Sequence, residues 1–198
     1  MKKTTILAVI AIAVVLNFQV FAHDGGTGSL EDPVLIDWVG DISVVEHIHD
    51  DESPFKGSYT IYVKNTGSID WGDFHFKIFD PYPDDGKDID NVHFLDSTMP
   101  AHGGGFGEDP TSSQTLDGSS SPDGWVIDNV TVGATIDLFF YGDPVPAGSE
   151  EIVWFTVYTD NPDEANFGIC SYPTPVPEPA TIAILGLGGL VLILRRNR

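Results

Sequence analysis

The chain has 198 residues, with 30 acidic side chains against nine lysines and arginines, a formal net charge of −21 and one cysteine. That charge repels nucleic acid and anionic surfaces, which excludes both as partners, and a single cysteine excludes an intrachain disulfide. Five of the basic residues, Lys2, Lys3, Arg195, Arg196 and Arg198, sit at the two ends, so the region from His23 to Thr174 holds four lysines against twenty-nine acids, a formal −25.

At the N-terminus, "MKKTTILAVIAIAVVLNFQVFA" places two lysines before an apolar run from Ile6 to Leu16, and then the small residues Val20 and Ala22. Charge, apolar length and small residues in that order predict a secretory signal peptide over 1–22, cut by signal peptidase after Ala22. The mature chain is expected outside the cytoplasm.

From residue 34 onward, short runs rich in β-branched and aromatic residues alternate with polar turns: "VLIDWV", "ISVVEHI", "YTIYVKN", "DFHFKIF", "WVIDNVTV", "TIDLFFY", "IVWFTVYT" and "FGICSY". In "DFHFKIF" a strand period puts Phe74, Phe76 and Ile78 on one face and His75 and Lys77 on the other. Cys170 is expected as a buried thiol in the last strand. No window shows a helical face, so the reading is all-β: one β-sandwich, immunoglobulin-like or jelly-roll, over 23–171. The segment "YTIYVKNTGSIDWGDFHFKIFD", with its Asn-x-Gly after an apolar strand, resembles bacterial immunoglobulin-like surface domains.

Three stretches between strands could carry chemistry. In "EHIHDDE", His47 and His49 share a strand face beside Glu52, half of a zinc, iron or manganese site. The stretch resembles the first cupin motif between Gly40 and Gly57, but His49 to Glu52 is short for it, and "GDPVPAGSEE" lacks the second motif's histidine. "DPYPDDGKDIDN" gathers Asp80, Asp84, Asp85, Asp88 and Asp90 around Gly86. Carboxylates at such spacing suit calcium, the one cofactor the pattern admits, although the EF-hand order is not met; a solvated acidic turn is the alternative. Asp96 to Gly124 is glycine, serine and aspartate rich and reads as a mobile loop, with a binding loop as the alternative. Its serines have no Gly-x-Ser-x-Gly elbow and "HGGGFGED" has no phosphate-loop lysine, so no enzyme is expected.

The chain ends "YPTPVPEPATIAILGLGGLVLILRRNR". The prolines over 172–179 predict a stiff spacer, the uncharged run over 180–194 a short transmembrane helix, and the arginines over 195–198 a cytoplasmic tail. Pro177, Glu178 and Pro179, followed by an apolar span and by Arg195, Arg196 and Arg198, resemble the PEP-CTERM sorting signal. The resemblance implies a membrane-embedded exosortase that reads the Pro-Glu-Pro, removal of the tail, and delivery to the surface or extracellular matrix of a Gram-negative bacterium that makes extracellular polysaccharide. The expected role is then a structural or adhesive component of the envelope or polysaccharide matrix. The first alternative is a calcium-assisted carbohydrate-binding module, which requires Trp38, Trp71, Trp125 or Trp154 exposed on one face. The second is a metal-dependent or glycoside-acting enzyme, which requires a pocket holding His47, His49 and Glu52, or two buried carboxylates.

Overall fold

The computed structural model describes residues 27–40, 45–49, 55–83, 89–118, 122–129, 133–163 and 165–176. Ten strands succeed one another in chain order: β1 (Val34–Ile36), β2 (Val45–His49), β3 (Phe55–Asn65), β4 (Trp71–Phe79), β5 (His93–Leu95), β6 (Thr111–Ser112), β7 (Trp125–Asp128), β8 (Thr135–Phe139), β9 (Val153–Asn161) and β10 (Phe167–Pro175). They form two sheets. One runs β1-β3-β9-β5, with β6 also on β9, and the other runs β2-β10-β4-β8-β7. β1 lies parallel to β3 and every other pair is antiparallel. The expected two-sheet, all-β arrangement is therefore present. No helix among the described residues is long and apolar enough to cross a membrane. The expected signal peptide and transmembrane helix lie outside those residues.

Strand alternation supplies the core. Phe74, Phe76 and Ile78 of β4 are fully buried, as are Ile136 and Leu138 of β8 and Phe155 of β9, while His75 and Lys77 take the opposite face. The sheets meet through aromatic rings: Phe74 stacks on Phe155 at 4.3 Å between centroids, and Phe140 on Phe155 at 5.4 Å. Tyr59 meets Phe76 edge-on. Such pairs add about 0.5–1.5 kcal/mol each beyond their buried area. The Cys170 thiol is buried, as expected, and donates to the Lys77 carbonyl.

Asparagines hold the turns. Asn65, at the end of β3, donates to the carbonyls of Ile69 and Val145 and accepts from Gly67 N–H. A side chain at Gly67 would strike the Asp37 carbonyl at 2.7 Å, so the Asn-x-Gly corner needs both residues. Asn161 closes the next turn onto both backbone groups of Ala165. Asn129, just after β7, exchanges two hydrogen bonds with Phe94 of β5 and so ties one sheet to the other.

Two expectations are corrected. The stretch from Asp96, read as a mobile loop, is built into the domain in its described parts. Ala101, Gly107 and Pro110 are buried, β6 pairs with β9, and Lys56 Nζ donates to the carbonyls of His102 (2.8 Å) and Gly104 (2.7 Å). Backbone and lysine contacts replace the large apolar residues whose absence suggested mobility. The expected domain edge at residue 171 also falls inside β10: Tyr172, Pro173, Thr174 and Pro175 continue the strand against β4 instead of opening a spacer. Proline is tolerated there because it lacks only its N–H, which a strand edge need not donate.

Candidate functional site

The outward row of β4 carries Asp73, His75 and Lys77, an unusual run of ionisable groups on a central strand. The flanking strands complete a cluster around it. On β8, Asp137 lies opposite His75; on β10, Tyr172 lies opposite His75 and Thr174 opposite Asp73. His75 Nδ1 is 2.6 Å from Asp137 Oδ1, and Nε2 is 3.3 Å from Asp73 Oδ1, an ion-pair contact without hydrogen-bond alignment. The imidazole stacks on the Tyr172 ring at 5.0 Å. Asp73 accepts from Tyr141 Oη (3.0 Å), from Thr174 N–H (3.1 Å) and from the Thr174 hydroxyl. Tyr141 reaches it by lying flat over Gly72, where a Cβ would sit 2.5 Å from its ring.

The charges explain why this cluster is stable away from bulk water. Burial by itself would lower the His75 pKa, but the hydrogen bond to Asp137 and the charges of Asp73 and Asp137 outweigh it and raise the value to about 9. His75 is thus an imidazolium at neutral pH. Burial would likewise raise Asp73, yet the groups contributed by His75, Thr174 and Tyr141 hold it below the ordinary carboxylate range. Tyr141, desolvated and facing Asp73, is pushed up to about 12 and keeps its proton.

Chemically the arrangement is a clasp. A general base needs an unprotonated nitrogen within reach of a nucleophile. Here both ring nitrogens face carboxylates, and the nearby Tyr141 and Thr174 hydroxyls already donate to Asp73. What the cluster does is join β8, β4 and β10 through one cation and two anions, at the last residues of the final strand. A second such pair, His102 with Asp160, anchors the glycine-rich loop: Asp160 accepts from both the backbone and the ring of His102.

The residues singled out from sequence fare differently. Pro177, Glu178, Pro179, Arg195, Arg196, Arg198 and Ala22 lie outside the described residues, as do Glu52, Asp84, Asp85 and Asp88. Asp80 accepts from Tyr82 N–H in a local turn, and Asp90 is exposed. His47 and His49 lie on β2, in register with Ile169 and Phe167 of β10. Among the described residues no group of three or more His, Cys, Asp or Glu is arranged to hold a metal ion. The exposed tryptophan platform is not found: Trp71 is fully buried, Trp38 and Trp125 pack partly buried against the core, and Trp154 is half-buried. An open groove of about 540 Å³ beside β3 is lined by Leu30, Glu31, Thr60 and Tyr62, and no tryptophan enters it. The clasp was missed from sequence. Its one signal was the alternation Asp73, His75, Lys77 on a strand whose other face is wholly apolar.

Residues 175–198 match the family model of the PEP-CTERM protein-sorting motif. No curated protein and no solved structure matches the chain.

Proposed function

We propose that this is an exported protein whose C-terminal tail is processed by an exosortase, and whose sandwich domain serves as a structural or adhesive component of the envelope or extracellular polysaccharide matrix of a Gram-negative bacterium, without enzymatic activity. The observation that carries the reading is the sorting motif at 175–198, which begins on the last residue of β10. The motif supplies an address and a processing partner. The domain supplies a body suited to the surface: strongly acidic, tightly cored, and with the ionisable cluster around His75 engaged in holding strands together. Calcium at the acidic turn, signal peptidase at Ala22 and a membrane span over 180–194 belong to the same reading.

Replacing Pro177, Glu178 and Pro179 with alanine tests it. Export should continue while a tail-bearing, membrane-associated form accumulates. Normal removal of the tail in the triple variant would refute the reading.

A further inference from the structure

β3 and β9 present their outer faces side by side. Alternation sends Ile61, Val63, Phe155 and Val157 into the core and turns Ser58, Thr60 and Tyr62 of β3, with Trp154, Thr156 and Tyr158 of β9, to the outer side. The antiparallel register sets Tyr62 opposite Trp154, Thr60 opposite Thr156 and Ser58 opposite Tyr158. β6 adds Thr111 on the other side of Thr156. The Thr60 and Thr156 hydroxyls share a hydrogen bond of 2.8 Å. A rank of threonine hydroxyls on three strands therefore runs between two ranks that carry aromatic rings. At about 3.4 Å per residue and about 4.8 Å per strand, this patch measures about 14 Å by 10 Å.

On the β3 side the patch runs into the open groove of about 540 Å³, whose far wall is the turn over residues 27–31. That wall is fixed by its own hydrogen bonds. Gly28, at a φ of 77°, gives its N–H to the Asp32 carbonyl (3.0 Å) and accepts from Tyr62 N–H (2.9 Å), and the Asp32 carboxylate accepts from Thr27 N–H at 2.9 Å. A wall ordered in advance leaves little ordering to be done when a ligand arrives. Tyr62 offers the groove a ring, Thr60 a hydroxyl, Leu30 an exposed aliphatic side chain and Glu31 an acceptor carboxylate.

Charge narrows the ligand. The row from Lys56 to Lys64 on β3 and the row from Trp154 to Tyr158 on β9 hold no carboxylate, in a region with twenty-nine acids against four lysines. The two lysines that end the β3 row are engaged within the protein, Lys56 with the His102 and Gly104 carbonyls and Lys64 with Glu150. Carboxylates stand at the rim, where Glu31 lines the groove and Glu108 accepts from Ser58 at 3.0 Å. An anionic polymer would meet that rim and the negative field of the whole domain. A neutral chain rich in hydroxyls meets neither penalty, and each of its sugar rings has an apolar C–H face to lay on an aromatic side chain.

From this we infer that the groove and the β3–β9 face form one binding site for an uncharged polysaccharide, held by stacking of sugar rings on Tyr62 and Trp154 and by hydroxyl contacts with Thr60, Thr156 and Glu31. The inference rests on the adhesive reading of the domain and adds the class of ligand and its place. The platform differs from the expected one because tyrosine and threonine make most of it, with a half-buried Trp154 beside Tyr62.

The test uses the full-length chain in mild detergent and the extracellular polysaccharide of its own host, split by anion exchange into uncharged and anionic fractions. Native electrophoresis through gels containing each fraction reads binding as retardation, since the acidic chain migrates readily on its own. The uncharged fraction should retard the parent and the anionic fraction should not. Tyr62→Ala should weaken binding by about tenfold or more, while Tyr62→Phe, which keeps the ring, should stay within about threefold of the parent. Glu31→Ala, on an exposed turn, should weaken binding severalfold and carries the test if Tyr62→Ala does not fold. Val126→Ala, exposed on the other sheet, should bind as the parent does. Parental binding by both Tyr62→Ala and Glu31→Ala would overturn the site and leave an adhesive role standing. A parent retarded by neither fraction, or by the anionic fraction alone, would overturn the ligand class, while sorting by the tail is judged separately by the Pro177, Glu178 and Pro179 variant.

Discussion

The imidazolium of His75 makes stability depend on pH between about 6.5 and 9. Its pKa is raised from 6.5 to about 9 in the folded protein. A raised value means that the folded state binds the proton more tightly than the unfolded chain. The contribution is therefore complete below about 6.5 and is lost as pH rises through about 9. At about 1.4 kcal/mol for each tenfold change in proton affinity, the loss between pH 6 and pH 9 is about 3 kcal/mol. Urea unfolding followed by tryptophan fluorescence reads this directly, since Trp71 is fully buried. With a urea dependence of about 2 kcal/mol per molar, the midpoint should fall by about 1.5 M between pH 6 and pH 9. His75→Gln should be less stable than the parent at pH 6 by a similar amount, because Asp73 and Asp137 lose the cation between them. Its midpoint should barely move with pH, and the two proteins should converge near pH 9. A parental midpoint that stays level from pH 6 to pH 9, or a variant with the same slope as the parent, would refute the clasp as an ion-paired unit.

The remaining contacts set other outcomes. Asn65→Ala should cost about 2–3 kcal/mol by urea unfolding, since it strands the Ile69 carbonyl and the Gly67 N–H and takes one of two donors from the Val145 carbonyl. Phe74→Ala, at the centre of the ring stack with Phe155, should cost about 3–5 kcal/mol and lower the thermal midpoint accordingly. Lys56→Met should increase amide exchange over residues 102–104 while leaving β9 protected, because the lysine ties that loop and the strand has its own ladder. Calcium at 100 times its dissociation constant should raise stability by about 2.7 kcal/mol, and Asp84→Asn, Asp85→Asn and Asp88→Asn together should abolish the gain; an unchanged melting curve would favour the solvated turn.

How far the sequence could be read depends on which interactions are local. The eight strand-like runs correspond to β1, β2, β3, β4, β7, β8, β9 and β10, because alternation is a property of neighbouring residues and burial of one face enforces it. β5 and β6 have three and two residues and owe their form to pairing with β9, so no local pattern announces them. The loop after Asp96 looked mobile because it has few large apolar residues, but a lysine 46 residues away holds it. The clasp was illegible for the same reason. Asp73 meets Asp137 only through His75, and Thr174 only through strand register, across a sequence separation of 101 residues. Prolines at 173 and 175 suggested a spacer because proline is rare in central strands, yet here they continue β10 against β4, where the ladder tolerates a residue without an N–H. The sorting motif, by contrast, is a local sequence read by another protein, and it was legible in full.

The intact mass of the protein recovered from the cell surface of its own host bears most directly on exosortase processing. The expected mass is that of a chain that begins at His23, retains β10 through Val176, and lacks the apolar run over 180–194 and the terminal arginines. A surface form that still carries Arg195, Arg196 and Arg198 would contradict tail removal, and one that ends before Val176 would contradict the domain boundary.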